Sequence, residues 1–262
     1  MQPKFIDIHS HVSFPEFDHD RAEVLARMRE VGVWAIAVGV DLKSSKETVA
    51  LAEKNNGIFA TVGLHPADNR REVLAIEEYR SLLKHPKVVA IGECGLDYLR
   101  IKGDQDQDKK RQRDIFEAQL ELAVEANKPL MIHCRDAHEH MLDILKSKKR
   151  DHGEKLRGNI HFFTGSSDIA KRYFDLQFTV SFTGVITFAH EYDEVVRYAP
   201  DTMILSETDC PFVAPVPYRG KRCEPVFVRE VVHRIAAIRD TDPEIMAETL
   251  VKNTLRLFKI KE

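Results

Sequence analysis

The chain has no long apolar run, no paired cysteines and no excess of one charge. No stretch approaches the roughly 18 apolar residues of a membrane span, and the N-terminus shows no charged-then-apolar leader pattern. Its four cysteines, Cys94, Cys134, Cys210 and Cys223, include no CxxC pair, so neither a thiolate zinc site nor a redox motif is suggested. So few cysteines in 262 residues do not build a disulfide scaffold, and the expected compartment is a reducing, cytoplasmic one. The net charge of −3 gives no bulk attraction to nucleic acid or membrane, although a local basic patch stays possible. Internal repeats, low-complexity tracts and linkers are also missing, so residues 1–262 read as one domain.

What the chain does have is a series of short apolar, β-branched runs. They are KFIDIH from Lys4, VWAIAVG from Val33, IFATVGL from Ile58, KVVAIGE from Lys87, PLMIHC from Pro129, GNIHFF from Gly158, FTVSFTG from Phe178 and TMILSETD from Thr202. Runs of this length, apolar almost throughout, are the pattern of parallel strands buried on both faces. Helical spacing lies between them. In DHDRAEVLARMREVG, Val24, Leu25, Met28 and Val31 form a stripe, with Asp18 or Asp20 to cap it and Gly32 to end it. In QRDIFEAQLELAVEANK, Ile115, Phe116, Leu120 and Ala123 form another. Eight strands alternating with helices predict a (β/α)8 TIM barrel, with a doubly wound sheet as the competing arrangement.

The strand ends carry the polar residues. FIDIHSHVSF sets Asp7, His9 and His11 two apart, on one side of a strand by alternation. Buried polar groups so placed need a metal or a hydrogen-bonded core to pair them. Later strands end in GLHP with His65, GECGLD with Glu93, HCRD with His133 and Arg135, HFFTG with His161, and ETDCP with Glu207 and Asp209. In a barrel these ends meet on one rim. His9, His11, Glu93, His133, His161 and Asp209 are nitrogen and oxygen donors without thiolates, a set that suits zinc, manganese or magnesium. Six ligands are too many for one open catalytic ion and suit two ions sharing a bridging carboxylate.

DIHSHVSFPEFD, GLHP, GECGLDY, QRDIFEAQL, HCRDA, HFFTG, SETDCP and RGKRCEP, in this order over nearly the whole chain, resemble the TatD family of metal-dependent deoxyribonucleases. The resemblance implies a TIM barrel of the amidohydrolase superfamily that hydrolyses phosphodiester bonds in DNA, here a 3′–5′ exonuclease on single-stranded DNA. It implies two divalent metal ions: one held by His9, His11 and Asp209, one by His133 and His161, with Glu93 between them. Hydrolysis would use a water whose pKa falls from ~15.7 toward ~7 between two cations. Asp209 would accept its proton, which makes Asp209 and Glu93 the candidate catalytic residues. His65 and Arg135 would lie near the substrate phosphate. Cys223 and Phe162 depart from the family's usual Asn and small or cysteine residues. A D-aminoacyl-tRNA deacylase or a small-molecule amidohydrolase would use the same ligands, since fold does not set substrate. A binding protein with a dead site is the rival from another class, and the complete ligand set argues against it.

PYRGKR supplies Arg219, Lys221 and Arg222 as candidates for gripping a DNA backbone, with Tyr218 able to stack on a base. DQDQD lacks the Gly and Glu of a calcium loop and reads as a solvated loop. His138 and His140 of AHEH read as surface residues. Cys94 and Cys134 should turn toward the helix layer, and Asp7 should orient His9. The chain is expected to be a monomer with no protein partner.

Overall fold

The computed structural model describes residues 2–261. The expected strands all form: β1 Phe5–Ser10, β2 Val33–Val38, β3 Ile58–Val62, β4 Val88–Asp97, β5 Leu130–Arg135, β6 Gly158–Ile160, β7 Thr179–Phe182 and β8 Ile204–Ser206. They pair in parallel in sequence order, as one eight-stranded sheet. The helices between them are α1 Arg21–Val31, α2 Leu42–Lys54, α3 Ile76–Leu82, α4 Gln105–Glu125, α5 His138–His152, α6 Ser167–Asp175 and α7 Asp193–Tyr198, followed by α8 Val228–Ile238 and α9 Pro243–Phe258. This is the (β/α)8 barrel, and the doubly wound alternative is set aside.

The first and last strands meet chiefly at the rim. There His11 N donates to Cys210 O and Asp209 N to His9 O, each at 2.9 Å, around an isolated Ser10–Cys210 bridge. The main core lies between strands and helices and takes in Val24, Leu25 and Met28 of α1 and Phe116, Leu120 and Ala123 of α4. Val31 and Ile115 pack at its edge. A second cluster joins Leu257 and Phe258 of α9 to Ile6, Ile36, Val89, Met131 and Leu205 of the strands. α1 starts at Asp20, whose side chain makes no capping bond, and ends at Gly32 in the left-handed region. No helix among the described residues is long and apolar enough to cross a membrane.

β4 and β5 approach so closely at the rim that only glycine fits between them. A Cβ on Gly95, at φ +142°, would lie 2.0 Å from the His133 carbonyl oxygen. That contact sets Glu93 on β4 beside His133 on β5.

Candidate metal centre

Alternation does not run unbroken through β1. The register with β2 shifts between Asp7 and Ser10. Asp7 therefore serves the main chain rather than the His9 ring: it accepts from Thr208 N at 2.9 Å, Thr208 Oγ1 at 2.5 Å and His9 N at 3.2 Å. It ties β1 to the residues after β8. Burial pushes its pKa well up, against the pull of the Thr208 donors. His11 Nδ1 meets the Val38 carbonyl at 3.2 Å. A carbonyl only accepts, so this nitrogen carries a hydrogen, and in the neutral ring that a cation requires Nε2 presents a bare lone pair.

Glu93 sits at the middle of the rim, 4 % exposed, and its two oxygens face different donors. Oε2 lies 3.4 Å from His9 Nε2 and 3.7 Å from His11 Nε2. Asp209 Oδ1 lies 3.7 and 3.4 Å from the same two nitrogens, which are 3.2 Å apart. Four ligands bound tetrahedrally at 2.0–2.1 Å would stand about 3.3–3.4 Å from one another; the His9, His11 and Asp209 donors come close to that spacing, with Glu93 Oε2 beside the two histidines. Glu93 Oε1 lies 2.8 Å from His133 Nδ1 and 2.9 Å from His161 Nε2, and those nitrogens are 3.3 Å apart. This second set has three donors.

Each set has an outer partner. His133 Nε2 meets Asp97 Oδ2 at 3.0 Å; in the neutral ring that a cation requires, the hydrogen stays on Nε2 and Nδ1 is the bare nitrogen aimed at Glu93. A carboxylate behind a ligating histidine fixes its tautomer and orientation. Arg100 Nε donates to the same oxygen at 2.6 Å. The His9 and His161 rings stack with centroids 3.8 Å apart, and the buried Glu207 carboxylate stands behind both. Its Oε2 lies 3.8 Å from His9 Nδ1 and 3.6 Å from His161 Nδ1.

Two glutamines of α4, seven residues apart and so on one helix face, hold the neighbouring main chain. The Gln112 amide accepts from Asp97 N at 2.7 Å and donates to Asp97 O at 2.9 Å. Gln119 does the same for Leu64, at 2.7 and 3.0 Å. Each copies a strand's hydrogen bonding, one at Asp97 and one beside His65.

The charges follow from this crowding. Burial would raise Glu93, but the surrounding imidazoles, His65 and His161 foremost, hold it well below the carboxylate range. Burial would lower His161, but Glu93 and Glu207 lift it well above the ordinary value. Burial likewise opposes ionisation of Asp97, and His133 and Arg100 more than reverse it. The residues fit divalent cations on the donor chemistry itself. Imidazole nitrogens face each other at 3.2 and 3.3 Å, close enough to share a hydrogen or, once both are bare, a cation. His9 Nδ1, His161 Nδ1 and Glu207 Oε2 are buried with no hydrogen-bond partner among the described residues, as befits rings held by a carboxylate behind and a cation in front. The nearby Cys134 thiol is pushed up to about 12 by burial and stays protonated.

The centre floors a cavity of about 440 Å³ whose wall includes His65, Arg100, Arg135, Phe162 and Phe212. Arg135 is exposed at its rim. The PYRGKR cations stand outside it. Arg219 lies 3.9 Å over the Phe188 ring and donates to Ala214 O at 3.1 Å. Lys221 is exposed, 6.0 Å from the Tyr218 ring. The Arg222 fork is committed to Asp20, at 2.8 and 2.6 Å, with Glu224 at 3.2 Å. It ties this loop to the start of α1, which removes it from the candidates for binding substrate. Tyr218 is stacked on Phe227 with centroids 4.0 Å apart, which uses one face of its ring. His138 is not a surface residue: it is half-buried, with Nδ1 3.0 Å from Tyr173 OH and 3.3 Å from Cys134 Sγ. His140 is exposed. Asp97, Arg100, Glu207, Gln112 and Gln119 were not assigned roles from sequence. Asp97 and Glu207 had a signal available: each lies at even spacing from a donor, in GECGLD and SETD.

An eight-stranded parallel barrel with clustered imidazoles and carboxylates at its rim defines the class: a metal-dependent hydrolase. Similar proteins agree. The metal-dependent hydrolase YabD of Bacillus subtilis (strain 168) is 38 % identical over 261 residues, covering 97 % of this chain and 98 % of that protein. The 3′-5′ ssDNA/RNA exonuclease TatD of Klebsiella pneumoniae (strain 342) is 32 % identical over 97 % of both chains. The crystal structure of YjjV, a TatD homologue from Escherichia coli K12, superposes with a TM-score of 0.89 at 29 % identity, over the whole of both chains. The model of a family described as TatD related DNase matches residues 6–259. The chain belongs to the TatD family.

Proposed function

We propose that this hydrolase cleaves phosphodiester bonds in single-stranded DNA from the 3′ end, using two divalent ions of zinc, magnesium or manganese. The observation that carries the reading is Glu93, whose two oxygens address two separate donor sets. His9, His11, Asp209 and Glu93 Oε2 would hold one ion; His133, His161 and Glu93 Oε1 would hold the other. The relative from Klebsiella pneumoniae, named for 3′-5′ ssDNA/RNA exonuclease activity, supports nucleic acid as the substrate. Bound divalent ions would supply Lewis-acid charge to the phosphoryl oxygens and an acidified water at neutral pH.

The chain's own residues do the rest. Burial opposes ionisation of Asp209, but the His11 bond and the charges of His9 and His11 hold its pKa below the ordinary value. It stays a carboxylate at neutral pH and takes the proton that the attacking water loses. His65 and Arg135 line the cavity and offset charge on the phosphate. Arg219 and Lys221, outside it, meet the DNA backbone further along the strand.

The test is single-stranded DNA labelled at its 5′ end, incubated with each metal in turn, with Asp209→Asn alongside. The expected result is a ladder shortening from the 3′ end that the variant abolishes. A wild-type protein that binds two ions yet leaves DNA intact would overturn the nuclease reading in favour of another ester or an amide substrate.

A further inference from the structure

Arg100 follows β4 by three residues and lines the cavity. Three of its donors are already committed. Its Nε and main-chain N donate to Asp97 at 2.6 and 2.9 Å, and Nη1 donates to Asp68 at 2.8 Å. These contacts hold the guanidinium plane. The remaining nitrogen, Nη2, stands 3.1 Å from His65 Nε2. His65 Nδ1 accepts main-chain hydrogens from Ala67 at 3.1 Å and Asp68 at 3.2 Å; the Asp68 carboxylate oxygen is also 3.2 Å away, but these two bonds make the nitrogen an acceptor. With Nδ1 an acceptor, the ring's one hydrogen is on Nε2. A guanidinium has no lone pair to offer. Two donors therefore stand side by side with no acceptor between them, and the contact is favourable only when a shared acceptor lies in front of both. That acceptor sits beside the metal-binding residues, since His65 Nε2 is 3.4 Å from Glu93 Oε1.

We propose that Arg100 Nη2 and His65 Nε2 form an oxyanion subsite for a non-bridging oxygen of the substrate phosphate, which makes Arg100 a further substrate-contacting residue. The inference rests on the phosphodiesterase reading for the source of that oxygen, and on geometry alone for the paired donors. Two carboxylates, Asp68 and Asp97, hold the one guanidinium. The subsite therefore takes an anion only when cations fill the neighbouring donor sets.

The experiment compares metal-loaded wild type with Arg100→Gln and Arg100→Lys. Metal content is measured by mass spectrometry, inorganic phosphate affinity by calorimetry, and kcat and KM on labelled single-stranded DNA. Arg100→Gln should keep its metal and bind phosphate about tenfold more weakly or worse, the loss of one charge-assisted hydrogen bond. Arg100→Lys should recover part of that loss, and kcat/KM should fall in step with phosphate affinity. Wild-type phosphate affinity in a fully loaded Arg100→Gln would overturn the proposal. Loss of metal from both variants would also overturn it, showing that Arg100 acts only through Asp97 and His133. If wild type cleaves no DNA but the phosphate effect holds, the nuclease reading fails and the subsite stands.

Discussion

Replacing Asp97 with Asn tests how the outer partner governs the centre. The side chain is 1 % exposed, and Oδ2 accepts from His133 Nε2 at 3.0 Å and from Arg100 Nε at 2.6 Å. Asparagine keeps the shape but loses the charge. With the amide oriented to keep Oδ1 on the Arg100 main chain, its NH2 group takes the place of Oδ2, and His133 Nε2–H and Arg100 Nε–H both face a donor. The His133 hydrogen then moves to Nδ1, the nitrogen aimed at Glu93 and His161. A ligand so blocked must lose that hydrogen before it can bind. Losing such a carboxylate partner weakens metal binding by roughly 10–100-fold, about 1.4–2.7 kcal/mol. The effect should be uneven. His133 belongs only to the set around Glu93 Oε1, so on the two-ion proposal an ion bound there should weaken while one bound by His9, His11 and Asp209 keeps nearly its full affinity. Competition against a chromophoric chelator resolves the two classes. Unchanged affinity, or equal weakening of both classes, would refute the role given to Asp97.

Glu93→Gln should weaken both classes together and lower turnover by more than about a hundredfold, since a direct ligand matters more than its partner; a variant with one intact class would remove Glu93 as the bridge. The raised His161 pKa makes metal binding pH-dependent. Below that raised value the metal-free ring is protonated, and a cation must displace the proton. Affinity should therefore climb with pH by up to about tenfold per unit until His161 titrates, with proton release measured in weak buffer; a flat profile between about pH 6 and 8 would contradict it. In the metal-free fold the same shift contributes stability that is full below the ordinary histidine pKa and lost as pH rises through the raised one. Gln119→Leu keeps the bulk of α4 but strands the Leu64 N–H and carbonyl; at about 1–3 kcal/mol for each buried group left unmatched, urea unfolding should report a loss of about 2 kcal/mol or more, and a loss near zero would show that water replaces the amide.

The barrel and the donor set were legible because their signals are local. Each strand is a short apolar run, and each donor stands at the end of one. What could not be read depends on distance or on backbone bends. Arg222 looks like a DNA contact until Asp20, some two hundred residues earlier, takes its fork. His138 looks exposed until Tyr173 covers it. Asp7 would share a face with His9 by alternation, but the register shift in β1 turns it to Thr208. Arg100 carries no sequence signal, because its place depends on the turn after β4. Gln112 and Gln119 sit in a motif that reads as helix, and their spacing shows a shared face but not the two main-chain pairs it meets.

The seam between β1 and β8 has a consequence for how the protein is made. During synthesis His9 and His11 leave the ribosome some two hundred positions before Asp209. Until β8 docks and Asp209 N reaches the His9 carbonyl, the first donor set lacks a quarter of its ligands and the ring has a gap. A cation met early finds a weak, incomplete chelate on a nascent strand. The full set of donors comes together only on the closed ring, so a cation bound there would follow barrel closure and then fasten it.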